Sequence, residues 1–165
     1  MQSITAIVET PKGSHQKYNW DEDLRLFKLA KILPAGLVFP FDFGFIPGTK
    51  GEDGDPLDVI IVSEVKSFTG CCMDCRIIGA ITANQTERDG ETVRNDRFLA
   101  VPEVSELFKD VLSFNDLPVD ILKQLEAFFE NYNNQAGKEF QPLGRIDADE
   151  ALAVIQKSRE AVDAK

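Results

Sequence analysis

Three aspartates fall within six residues, at Asp53, Asp55 and Asp58, inside the segment Glu52-Asp53-Gly54-Asp55-Pro56-Leu57-Asp58-Val59. Gly54 permits a tight turn and Pro56 fixes one, so the carboxylates can converge instead of alternating across a strand. Carboxylates held this close repel one another. A hard divalent cation relieves that repulsion, because Mg²⁺ accepts carboxylate oxygens while keeping several waters. The same residue types also suit a plain acidic surface turn, which Asp, Gly and Pro favour. Taken alone, the segment leaves both readings open.

Two other phosphate or metal motifs fail on physical grounds. Counted as an EF-hand from Asp53, the loop puts Glu64 at the twelfth position. Leu57 then falls where a ligand belongs, Asp58 falls where the turn glycine belongs, and a strand follows in place of a helix. A phosphatase working through an aspartyl-phosphate carries its acids after an apolar strand. Here the apolar run Leu57–Val62 comes after them.

The charge balance narrows the ligand. Eighteen Lys and Arg against 28 Asp and Glu give a formal net charge of −10. Such a chain repels nucleic acid and anionic membrane, and no basic run of useful length intervenes. An anionic ligand would need cations as mediators. The 165 residues, 43% of them hydrophobic, predict one domain over 1–165 with a sizeable core. No apolar run approaches the ~20 residues of a membrane span. Met1 to Val8 has no basic or apolar signal-peptide region, so a cytoplasmic protein is expected. Cys71, Cys72 and Cys75 are odd in number and clustered, which does not make a disulfide framework. Zinc would need more ligands than these thiols and a distant His15 supply, so reduced, partly buried thiols are expected.

The elements that must position the acids are mostly strands. Ile4 to Val8 alternates and ends at Pro11-Lys12-Gly13. Gln16–Trp20 and Leu24–Leu33 read as a hairpin around Asp21-Glu22-Asp23. An aromatic-rich stretch, Val38–Ile46, is broken by Pro40 and Gly44, and strands follow at Leu57–Val62, Cys71–Ala83 and Arg97–Val101. A short helix is expected over Val104–Phe108. After Pro118, helical spacing links Ile121, Leu122, Leu125, Phe128, Phe129 and Tyr132. Asp147, three residues before Glu150, opens a second amphipathic helix running through Ala151, Leu152, Ile155 and Val162. The expected fold class is α+β: a small closed β-barrel flanked by two main α-helices in the C-terminal third.

With these landmarks in order, the chain resembles the soluble inorganic pyrophosphatases of the family I type, as a divergent subgroup. That family is built on an oligonucleotide-binding (OB) type of barrel. Asp53-Gly54-Asp55-Pro56-Leu57-Asp58-Val59 is similar to its signature. Val8-Glu9-Thr10-Pro11, Lys17-Tyr18, Phe39-Pro40, Phe43-Gly44-Phe45-Ile46, Leu99-Ala100-Val101-Pro102 and Phe128-Phe129-Glu130-Asn131-Tyr132 resemble its other landmarks.

The resemblance implies hydrolysis of pyrophosphate to two phosphates, by a metal-activated water attacking phosphorus directly, with several Mg²⁺ ions and Mn²⁺ as an alternative. It implies metal-holding roles for Asp53, Asp58, Asp55, Glu9 and Glu87, with Asp55 accepting the proton of the attacking water. Lys17, Lys31, Arg97 and Tyr132 would bind phosphate, and Lys17, Arg97 and Tyr132 would also assist catalysis. Five positions depart from the family pattern: Asn19, Lys31, Phe43, Asn95 and Asn133. At Asn95 the family has a metal-binding aspartate, a role that the adjacent Asp96 would have to take over. Departures of this kind leave two alternatives open, a hydrolase of another small phosphoanhydride or phosphate ester, and a non-catalytic homologue that binds metal or phosphate. A homo-oligomer, hexameric by analogy, is also implied. Neither nucleic acid nor membrane is expected as a partner.

Overall fold

The computed structural model describes residues 2–164. Nine strands and two long helices follow one another: β1 Ser3–Thr10, β2 Gln16–Asp21, β3 Leu26–Ile32, β4 Asp42–Ile46, β5 Leu57–Ile61, β6 Cys72–Thr86, β7 Thr92–Arg94, β8 Arg97–Pro102, α1 Val119–Gln135, β9 Glu139–Ile146 and α2 Ala148–Asp163. Five strands close on themselves, in the order β1-β4-β5-β8-β6 and back to β1. Only β5 and β8 run parallel; the other pairings in the ring are antiparallel. Closure leaves no free edge within the ring, whereas β7 and β9 extend it along the second half of β6. The strand-rich ring with two C-terminal helices agrees with the expected α+β class.

Both faces of β5 and β8 are covered, which explains their unbroken apolar runs. Val59, Ile61, Phe98 and Ala100 join one core with Ile4, Ala6 and Val8 of β1 and with Ala151 and Ile155 of α2. Ile60, Val62, Leu99 and Val101 join a second core with Phe39, Phe43, Phe140 and the Leu122, Leu125 and Phe129 stripe of α1. The chain needs Gly44 where β4 crosses β1, because a Cβ there would lie 1.9 Å from the Ile7 carbonyl oxygen.

Local expectations meet different fates. The Asp147 carboxylate accepts from the Glu150 amide at 2.9 Å and caps α2 as its spacing predicts. The expected helix over Val104–Phe108 is instead a set of turns; the Glu64 carboxylate, not a helical ladder, accepts the Glu106 and Leu107 amides there. Strands β7 and β9 were not foreseen, since their short polar stretches gain order only by pairing with β6. Cys71, Cys72 and Cys75 are free. Strand alternation sends Cys72 outward and Cys75 into the core, where burial pushes its thiol up to about 12. Among the described residues no helix is long and apolar enough to cross a membrane.

Candidate active site

A cavity of about 500 Å³ opens between the β4–β5 connection, the β2–β3 hairpin, the ends of β6 and β8, and α1. Its acidic wall comes from the aspartate segment. Gly54 takes φ +91°, a left-handed turn that glycine adopts without strain. The Asp53 Oδ1 accepts from the Asp55 amide at 3.0 Å, and the Gly51 amide donates to the Asp55 carbonyl at 2.7 Å. This small closed turn carries Asp53 and Asp55 to the cavity, and β5 delivers Asp58 directly behind them.

Glu9 reaches the same wall from β1. The pairing of β1 with β4 slips between Val8 and Thr10, leaving Glu9 as the extra residue of a bulge. Its Oε1 accepts from the Trp20 amide at 2.9 Å, which ties the hairpin to the site. Burial pushes the Glu9 carboxyl up to about 7, against the lowering influence of that hydrogen bond and of Lys17. Burial likewise raises Asp58, with Arg97 and Lys17 opposing, and raises Asp53.

The basic wall has an unusual origin. Lys17 and Lys31 stand directly opposite each other in the β2–β3 register. Like charges in that position are destabilising unless something between them carries the opposite sign. The Lys31 Nζ lies 4.2 Å from the Tyr132 ring centroid and the Lys17 Nζ lies 5.9 Å from it. Burial lowers both ammonium groups; Lys31 falls to about 8, helped by the charges of Lys17, Lys138 and Arg88. Between the walls, the Tyr132 hydroxyl is buried with no hydrogen-bond partner, as is the Arg97 Nε. Buried donors are normally satisfied, so two orphans at one cavity mark a place for a ligand bearing acceptor oxygens.

The structure brings Glu9, Lys17, Lys31, Asp53, Asp55, Asp58, Glu87, Arg97 and Tyr132 to this one cavity. It does not bring Asp96 there. The Asp96 Oδ1 accepts from the Ala83 amide at 3.0 Å and pairs with Arg94, while its neighbour Asn95 lines the cavity. Both residues lie in the connection between β7 and β8, and the bonds to Ala83 and Arg94 hold the Asp96 carboxylate away from the cavity. Sequence reading missed Lys138 and Gln85. Lys138 enters from the turn between α1 and the unforeseen β9 and pairs with Glu87 at 2.6 Å; Gln85 donates to Glu87 at 2.5 Å. Burial alone would raise the Glu87 carboxyl, but these two hydrogen bonds outweigh it and lower it. Nothing in the linear pattern marked either residue.

The donor set is one of hard oxygens. Among the described residues no three of these acids converge on a single point. Mg²⁺ does not demand that, because it commonly takes one or two carboxylates and completes its shell with waters and substrate oxygens. The crowded, upshifted carboxyls of Asp53, Asp58 and Glu9 fit a cation of this type.

A closed strand ring carrying acids on one side of a cavity and paired lysines on the other defines a site for a small polyanion. The comparisons with known proteins place the chain in a family. Residues 6–163 match the family model described as Inorganic pyrophosphatase. The inorganic pyrophosphatase of Nostoc sp. is 35% identical over 158 residues, covering 96% of this chain and 90% of that protein. That of Halalkalibacterium halodurans is 34% identical, covering 93% and 91%. Among solved structures, the inorganic pyrophosphatase from Thermus thermophilus superposes with a TM-score of 0.89 at 27% identity, covering 98% of this chain and 91% of that one. An inorganic pyrophosphatase from Neisseria gonorrhoeae gives 0.87 at 31%, with the same coverage. The chain belongs to the inorganic pyrophosphatase family.

Proposed function

We propose that this chain hydrolyses inorganic pyrophosphate to two phosphates with the help of divalent cations, Mg²⁺ foremost. The observation that carries the reading is the opposition of charge across one cavity: Lys17 and Lys31 in direct cross-strand register face Asp53, Asp55 and Asp58. A cation bound among the acids would lower the pKa of a coordinated water and neutralise the substrate's charge. Asp53 and Asp58 would hold it, with Glu9 and Glu87 completing the acidic surround. Asp55, the acid of the motif with no side-chain hydrogen bond, is free to take a proton from the attacking water. Lys17, Lys31 and the unpartnered Tyr132 hydroxyl would receive phosphate oxygens as the leaving group gathers charge. Lys31 and Phe43 give this wall fewer directional donors than the arginine and tyrosine that the family resemblance implies at those two positions. Lys138 adds a further positive charge beside Glu87.

We further propose a cytoplasmic homo-oligomer, a hexamer by analogy with bacterial relatives, acting on pyrophosphate released by biosynthetic reactions. Phosphate release from pyrophosphate should appear with Mg²⁺ and disappear with chelator. A folded protein that releases phosphate from other phosphoanhydrides or esters but not from pyrophosphate would shift the assignment to one of those. Absence of turnover on every substrate would leave only a binding role.

A further inference from the structure

Arg97 carries the charge of the rear wall without meeting open solvent. It is 4% exposed, and its guanidinium carbon lies 5.0 Å from the Phe129 ring centroid, 5.3 Å from Phe140 and 5.9 Å from Phe43. A guanidinium caged by three phenyl rings has lost most of its hydration and needs a counter-charge. Asp58 provides it: Nη1 stands 2.6 Å from Asp58 Oδ2, and the two residues are register partners on the parallel β5 and β8. Two neutral side-chain amides, with the Asn95 and Asp96 carbonyls, hold the two Nη atoms, while Nε stays unpartnered. Nη1 donates to Asn95 Oδ1 at 2.5 Å and Nη2 donates to Gln85 Oε1 at 3.3 Å, while Asn95 Nδ2 donates to the same Gln85 oxygen at 3.2 Å. Amides accept hydrogen bonds without bringing charge. They orient the guanidinium but do not draw it away from Asp58.

We propose that Arg97 is a positioning residue which, clamped by Gln85 and Asn95, occupies Asp58 and so sets how tightly the site takes a divalent cation. The inference rests on the reading of Asp58 as a cation ligand. Arg97 and a divalent cation compete for one carboxylate and repel each other, so the guanidinium weakens cation binding below what three aspartates would otherwise give. A loose or lost clamp releases Asp58 to the cation.

Titration calorimetry with Mg²⁺, repeated with Mn²⁺, on the substrate-free full chain tests this directly. Arg97→Gln should bind Mg²⁺ about tenfold more tightly than wild type, because a competing positive charge has gone. Arg97→Lys should fall between them, since an ammonium keeps the charge but cannot span Asp58 and both amides. Asn95→Ala, which keeps Arg97 but opens the clamp, should tighten Mg²⁺ binding several-fold; it stands as the test if Arg97→Gln does not fold. A guanidinium that only contacts phosphate would leave Mg²⁺ affinity unchanged and raise the KM for pyrophosphate, which overturns the proposal. Turnover of pyrophosphate by the same wild-type preparation separates the two levels. Wild-type turnover with Mg²⁺ affinity unmoved by these variants removes the positioning role alone, whereas wild type that neither binds Mg²⁺ nor turns over removes the catalytic reading as well.

Discussion

The two long walls of the cavity are built by opposite rules. The Gly51–Asp58 wall is a short turn leading into β5 whose Asp53 and Asp55 stand in solvent, held by a few bonds within the loop and by the Arg94 amide donating to Glu52. The Gln85–Asn95–Arg97 wall comes from β6, the start of β8 and the connection before it, packed on aromatic rings, and apart from the Arg97 Nε its side-chain polar atoms are used by other protein atoms. Side chains on the first wall can change chemistry without changing the fold. On the second, chemistry and stability are coupled, because a buried charge cannot lose its partner cheaply. Asp58 belongs to both walls, and the difference between them is sharpest there.

Asp55→Asn should break the first wall alone. We expect phosphate release to fall by about 10²–10⁴-fold, the usual contribution of a positioned proton acceptor, with the urea midpoint unchanged. A large loss of stability in this variant would mean that the loop is not independent of the fold. Asp58→Ala should behave differently, since it strands the Arg97 guanidinium in its cage. The cost should be about 3 kcal/mol, at the low end for a broken buried pair because Asp58 keeps part of its surface exposed. Chemical denaturation measures it, and a cost near zero would show that Arg97 finds another partner.

Acidity distinguishes the walls too. The Glu9 carboxyl is pushed up to about 7 from its ordinary value of 4.5. A carboxyl raised in the folded state contributes stability that is fully present below the ordinary value and lost as pH rises through the raised one. The metal-free protein should therefore lose stability between those two pH values, by no more than about 2 kcal/mol because some solvent screening remains. Glu9→Gln should flatten that part of the stability profile, and an unaltered profile would locate the titration elsewhere. The smallest effect is expected at Tyr132→Phe. It deletes a buried hydroxyl that lacks a protein partner, so stability should stay within about 1 kcal/mol. Turnover should drop about tenfold, the worth of one hydrogen bond to a charged group. A stability loss without a turnover loss would return Tyr132 to pure packing of α1.

Much of this could be read along the chain. The aspartate segment, the apolar runs of β5 and β8, the stripe of α1 and the Asp147 cap are local patterns, written within a few residues and obeying strand or helix periodicity. They determined the α+β class, the family resemblance and the acids of the first wall. Other features depend on which strands meet. The opposition of Lys17 to Lys31 comes from hairpin register, and the choice of Asn95 over Asp96 comes from the β7–β8 connection, where Asp96 is tied to the Ala83 amide. Lys138 reached the cavity only because β9 pairs with β6, and Arg97 found Asp58 only because β5 and β8 run parallel in register. Periodicity and turn chemistry act over a few residues and are visible in order along the chain. Charge pairing and burial act across space, so they were decided only when the ring of strands closed.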